Sequence, residues 1–192
     1  MGEPRAEAMR VPTADPSRHL PLAELEQRLS ELPPAASDAG RVTLLVARPS
    51  GDHRTTPKRA YLSASKGMAG DRWGSADDSG PDNQITAIQS SVARVLANGQ
   101  DLSLFGDNLF LDLDLSEANL PVGTRLRVGE ATLEVTPKPH DGCRKFRARF
   151  GADALRIVSR RAPTRPNLRG IHLEVVEDGH VCIEDEIRVL RA

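Results

Sequence analysis

Residues 124–128 and 131–135 are two apolar, alternating runs joined by Gly129-Glu130. Alternation with a period of two describes a strand with one buried face, and two such runs across a two-residue glycine-bearing link describe a β-hairpin. The pattern recurs. Residues 42–47 form an apolar, β-branched run, residues 60–64 and 84–88 read as further strands, and residues 170–176, 180–183 and 186–190 close the chain with three more. Turn residues separate them at Pro49-Ser50-Gly51-Asp52, Asp178-Gly179 and Glu184-Asp185. Short strands with frequent turns and few helical stretches predict a mainly β fold, a barrel with a few flanking or inserted helices.

The helical stretches are identifiable by spacing. Leu20, Leu22, Leu25, Leu29 and Leu32 give an amphipathic helix that Pro33-Pro34 stops. Residues 89–98 form a second helix ended by Gly99, and residues 145–159 a third that Gly151 divides. Residues 1–18 lack periodicity and are expected to form a tail; residues 163–167 are expected to form a loop. The domain organisation expected is a tail, helix and linker over residues 1–40, followed by a β-barrel domain over residues 41–192.

A chain of 192 residues with 39% hydrophobic and 28% charged residues and a formal net charge of −1 is globular in composition and shows no global bias toward polyanions. No nucleic-acid partner is expected. No apolar run approaches the roughly 18 residues of a membrane span, and the two cysteines do not make a disulfide framework. The expectation is a cytoplasmic protein with no membrane partner. Charge is nonetheless uneven, with Arg144, Lys145, Arg147, Arg149, Arg156, Arg160, Arg161, Arg165 and Arg169 crowded into one segment. Such a segment suits an anionic small ligand or nucleic acid, or is simply a solvated helix face.

The second strand of the hairpin leads into Thr136-Pro-Lys-Pro-His-Asp-Gly-Cys143-Arg-Lys-Phe146. Cys143 follows two prolines and a glycine and precedes two cations, so its sulfur is expected in a rigid, electropositive loop that favours thiolate. A thiolate is a nucleophile, a sulfur acceptor and a ligand for soft or high-valent metals. His140, three residues earlier, is placed to tune that sulfur or to transfer a proton. Two other chemistries stay open on residue type alone. One is a zinc site pairing His140 and Cys143 with His180 and Cys182, although the single residue between the latter two is atypical. The other is a cysteine hydrolase using His140 or His172 as base. Cys182 itself lies between Val181 and Ile183 in a core-like strand.

Several short segments, taken in order, resemble the MOSC domain, the module named from the C-terminal part of molybdenum-cofactor sulfurase. They are Gly70-Asp71-Arg72, Gln84-Ile85-Thr86, Gly106-Asp107-Asn108-Leu109, Val122-Gly123-Thr124, Leu133-Glu134-Val135-Thr136, Cys143 after its proline-bearing loop, and Arg169-Gly170-Ile171. The resemblance implies a β-barrel and a pocket in which Cys143 takes the place of the family's functional cysteine. It further implies the molybdenum cofactor, with Cys143 as molybdenum ligand and Arg72, Asn108, Arg144, Arg169 and Gly170 as cofactor-binding positions. Asp71 is the exception, read as structural by pairing with Arg72 or capping the bend. The function implied is reduction of N-oxygenated small molecules with electrons from a separate donor protein. The alternative is a non-catalytic carrier holding a persulfide on Cys143 for an acceptor protein. The chain departs from the larger relatives in having no room for a separate N-terminal barrel, no cysteine cluster for an iron–sulfur centre and no aminotransferase-like domain. The Asp-Gly before Cys143 also differs from the proline-cysteine pair of many members.

Overall fold

A computed structural model describes residues 7–75, 79–160 and 166–191. Its strands are β1 (Met9–Arg10), β2 (Ala39–Leu45), β3 (Ala47–Ser50), β4 (His53–Thr55), β5 (Arg59–Ser63), β6 (Gly67–Met68), β7 (Ile85–Gln89), β8 (Leu109–Leu111), β9 (Arg125–Val128), β10 (Ala131–Val135), β11 (Ile171–Glu177), β12 (Gly179–Cys182) and β13 (Glu186–Leu190). Its α-helices are α1 (Leu22–Ser30), α2 (Ser90–Ala97), α3 (Arg144–Phe150) and α4 (Ala152–Val158). Seven strands close into a barrel in the order β10-β11-β7-β8-β2-β13-β9, so the mainly β architecture expected from the alternation is the architecture found. Two three-stranded sheets, β1-β4-β3 and β12-β5-β6, flank it.

The hairpin that most constrained the sequence forms as read, with Ala131 opposite Val128 and Leu133 opposite Leu126. Gly129 turns it at φ +54, and a Cβ there would lie 2.3 Å from the Asp185 carboxylate, so only glycine fits. Inward residues of successive strands, among them Val42, Ile85, Leu109, Leu126, Leu133, Leu173 and Ile187, are fully buried in one apolar core. A second core lies on the helical side. Leu25 of α1, Val92 and Leu96 of α2, Phe146 and Phe150 of α3 and Ile157 of α4 pack there with Val46, Phe105 and Phe110. Phe105 stacks on Phe150 at 4.1 Å between ring centroids.

The structure differs locally from the sequence reading. The apolar run expected as one strand over residues 42–47 divides at Val46, where the chain leaves the barrel and enters the β3–β4 hairpin. Part of the expected tail is paired: Met9 and Arg10 lie opposite Arg54 and His53, and the Asp15 side chain caps a short 3₁₀ turn at Pro16–Arg18. Residues 1–6 lie outside the described residues, as do residues 163–165 of the expected loop. Asn98, in the left-handed region at φ +46, ends α2 one residue before Gly99. Gly151 divides α3 from α4 as expected, at φ +96 and against the His19 ring. No helix among the described residues is long and apolar enough to cross a membrane.

Candidate functional site

The strand order brings distant segments to one rim of the barrel. β7 lies between β8 and β11, and Leu109 and Ile171, which begin those two strands, both sit opposite Ala87. The residues leading into them, Asp107 and Arg169, meet there. Arg169 Nη1 donates to Asp107 Oδ2 at 2.6 Å, and its guanidinium lies 5.2 Å from the centre of the Phe146 ring on α3. Gly170 permits this approach, because at φ +101 a Cβ would come within 2.0 Å of the Ala87 carbonyl oxygen.

β10 adjoins β11 and delivers the proline-bearing loop to the same rim, where Thr136 N–H donates to the His172 carbonyl. His140 turns inward from this loop. Its ring lies 4.5 Å from that of His172, and its Nδ1 is 3.5 Å from Asp107 Oδ1 without hydrogen-bond geometry. Among the described residues, His140 Nδ1, Asp107 Oδ1 and Arg169 Nε therefore remain buried with no hydrogen-bond partner. Burial, reinforced by the nearby Arg169, His172 and Arg48, holds His140 well below its ordinary value of 6.5, so it is neutral at pH 7. His172 is lowered as well, chiefly by burial. Its Nδ1 faces the Lys138 carbonyl at 3.1 Å and must carry the proton in that bond, since a carbonyl only accepts. A cleft of about 40 Å³ opens here, lined by Pro139, His140, Ser159, Arg160, Asn167 and Arg169.

Cys143 follows as the exposed residue preceding α3, and its carbonyl accepts from Arg147 N–H. Of the basic segment, only two members whose positions are described turn inward. Arg169 is buried, and Arg149 is half-buried with Nη1 donating to the Leu104 carbonyl at 2.6 Å. Burial lowers the Arg149 guanidinium, with Cys143 acting in the opposite sense. Arg144, Lys145, Arg147, Arg156 and Arg160 are exposed, and Arg161 and Arg165 lie outside the described residues.

A second polar network adjoins the first. Asp71, with a side chain 1% exposed, accepts from Arg48 N–H, Nε and Nη2, from Trp73 N–H and from Asn108 Nδ2. Asn108 Oδ1 accepts from Thr86 N–H, Thr86 Oγ1 and Arg48 Nη2, and its Nδ2 also donates to the Val46 carbonyl. The Asn108 amide is thus engaged within the protein on all sides. The pairing of Asp71 expected with Arg72 is made instead with Arg48, while Arg72 is exposed and its N–H donates to the Arg48 carbonyl.

Of the sequence-predicted residues, the structure gathers His140, Arg169 and Gly170 at the rim, with Cys143 just beyond His140 in the same loop. Arg72 and Arg144 are exposed, and neither joins them. Asp107, Arg48, Arg54 and Arg149 were not singled out as site residues, because each becomes significant only through contacts with remote segments. The signal for Asp107 was present in Gly106-Asp107-Asn108, where attention falls on the asparagine. The residues of the zinc alternative are not gathered: no three His, Cys, Asp or Glu among the described residues converge on a common metal position. His180 on β12 instead pairs with Glu130 and meets Tyr61 edge-on.

These observations define a closed β-barrel with a buried polar rim and an exposed cysteine in the loop that supplies the rim histidine. A family model described as "MOSC domain" matches residues 75–188, and the chain belongs to that family. Solved structures agree on the fold. A crystal structure described as that of a hypothetical protein superposes with TM-score 0.60 at 20% identity, covering 80% of this chain and 68% of that one. The YUAD protein from Bacillus subtilis gives 0.58 at 16% identity, covering 79% and 95% respectively. YiiM from Escherichia coli gives 0.54 at 21% identity, covering 79% and 70%. No curated protein matches the sequence.

Proposed function

We propose that the rim binds the molybdenum cofactor, with the Cys143 sulfur as metal ligand, and that the protein reduces N-oxygenated small molecules using electrons from a separate donor protein. The observation that carries this reading is the set of three buried polar atoms, His140 Nδ1, Asp107 Oδ1 and Arg169 Nε, left without partners among the described residues, with an exposed thiol three residues after His140 in the same loop. Buried polar groups are almost always satisfied, so an orphaned group calls for a ligand or water. The residues suit this cofactor in two respects. A cysteine sulfur is a ligand for a high-valent metal, and the guanidinium groups of Arg169 and Arg149 suit a phosphate-bearing, anionic pterin.

When bound, the cofactor supplies a redox-active metal able to pass the two electrons that removal of an N-bound oxygen requires. The chain's own groups account for the remainder. Arg169, fixed by Asp107 through Nη1, would hold an anionic group through its unpartnered Nε. His140, neutral at pH 7, is suited to relaying one of the two protons that leave with the oxygen as water. The cleft beside it, about 40 Å³ in volume, has room for little more than a water molecule or a small functional group.

The test is elemental analysis of protein purified from a host that makes the cofactor. Stoichiometric molybdenum in the wild type and its loss in Cys143→Ala are expected. Absence of molybdenum from the wild type, or its full retention in Cys143→Ala, overturns the proposal. A cyanide-labile sulfur on Cys143 without metal would favour the carrier function in its place.

A further inference from the structure

A neutral imidazole carries one N–H and one lone pair, and the groups facing its two nitrogens decide which of them holds the proton. For His140 the deciding group is the buried carboxylate of Asp107. Its Oδ2 is taken by Arg169 Nη1 at 2.6 Å, and its Oδ1 stands 3.5 Å from His140 Nδ1. No hydrogen bond is made at that separation, but the electrostatic preference has one sign. A lone pair turned toward a carboxylate oxygen is repelled, an N–H turned toward it is attracted, and burial strengthens both effects. Hydrogen bonds of this kind are often long in a free protein and tighten when a ligand binds.

The rest of the His140 side chain points elsewhere. It is 10% exposed and lines the cleft of about 40 Å³, whereas Nδ1 is buried. What reaches the cleft is therefore not the nitrogen turned to Asp107. His172, whose ring lies 4.5 Å away, shows the same selection made by a different group, since its Nδ1 donates to the Lys138 carbonyl. The two rings thus hold their protons on the same nitrogen for unrelated reasons, and only His140 should respond to a change at Asp107.

We propose that Asp107 is a positioning residue for His140, keeping the proton on Nδ1 and the lone pair on Nε2, with Arg169 holding the carboxylate in place. The use made of that lone pair rests on the reduction proposed above. Nε2 takes a proton from solvent, Asp107 stabilises the imidazolium so formed, and the same proton passes to the departing oxygen while Nδ1 keeps its own. The tautomer itself is independent of that reaction.

Asp107→Asn is the discriminating variant. Arg169 Nη1 can only donate, so it retains the amide oxygen, and the amide nitrogen is left facing His140 Nδ1. An amide N–H requires a lone pair opposite it, which drives the His140 proton to Nε2. The experiment is nitrogen-edited NMR of the histidine side chains in full-length, cofactor-free protein at pH 7, where His140 is neutral, with its signals assigned by their loss in His140→Asn. In the wild type, both His140 and His172 are expected to show a protonated Nδ1 and an unprotonated Nε2. In Asp107→Asn the two His140 shifts should exchange while those of His172 stay. Should Asp107→Asn fail to fold, Asp107→Leu/Arg169→Met provides the check, because without the carboxylate the two His140 nitrogens should move toward averaged shifts. A His140 proton on Nε2 in the wild type, one that stays on Nδ1 in Asp107→Asn, or wild-type shifts in the double variant overturns the proposal. Because the spectra need no metal, the expected tautomer in a protein that proves to lack molybdenum would leave this inference standing and remove only the reductase reading.

Discussion

Asp107 and Asn108 are neighbours in the chain and belong to opposite kinds of polar network. Asn108 enters a closed one, in which its amide, Asp71, Arg48 and Thr86 satisfy one another. Asp107 enters an open one. It holds Arg169 firmly with one oxygen, while its other oxygen, His140 Nδ1 and Arg169 Nε have no partner among the described residues. Both networks are buried and both lie at the same end of the barrel, so burial alone does not separate structure from function. The distinguishing property is whether the donors and acceptors are matched within the chain. A closed network fixes the positions of β3, β7, β8 and the turn at residues 68–71, whereas an open one leaves buried polar atoms that water or a ligand can satisfy.

The largest expected effect lies in the closed network. Asp71→Ala removes five accepted hydrogen bonds and leaves Arg48 without its carboxylate. Breaking one side of a buried ion pair costs roughly 3–5 kcal/mol, and chemical denaturation should show a loss of that order. A loss below about 1 kcal/mol, the value of an exposed pair, would erase the distinction between the two networks. In the open network His140→Asn is expected to change stability at pH 7 by much less, since His140 Nδ1 makes no bond that would be lost.

The smallest effect is one of pH. His140 and His172 are both held below their ordinary value of 6.5, so the folded chain takes up fewer protons than the unfolded chain just below that pH. Unfolding free energy should therefore be independent of these groups above pH 6.5 and should fall as the pH drops below it. The folded-state penalty is complete once the pH lies below the lowered values. His140→Asn should flatten part of this decline in a pH series of denaturation curves. An unchanged slope would mean that His140 is not held neutral by its surroundings.

The barrel was legible because its strands carry their information locally. Alternation in residues 124–135 determines both which face is buried and where the chain turns, and Gly129 admits only that turn. Gly151 marks the break between α3 and α4 for the same reason. The site was legible only where one segment contains enough of it. Cys143, His140, Arg169 and Gly170 stand in recognisable local contexts, and the structure brings His140, Arg169 and Gly170 together at one rim with Cys143 close by. Arg48 could not be matched with Asp71 in the same way, because that pair depends on β3 leaving the barrel at Val46 and passing beside residues 68–71. Arg54 and Arg149 were hidden more completely. Each resembles an ordinary surface arginine in sequence, and only the packing of β4 and α3 around Gly106 and Leu104 turns them inward.

The most direct measurement of the difference between the networks removes both charges of the open one. In Asp107→Leu/Arg169→Met both charges of this ion pair are removed together, so stability should stay within about 2 kcal/mol of wild type, as replacement of a buried ion pair by apolar residues allows. Molybdenum content, measured on the folded double variant from a cofactor-producing host, should fall to background while the unfolding transition remains cooperative. Wild-type molybdenum content in that variant would contradict the assignment of Asp107 and Arg169 to ligand binding.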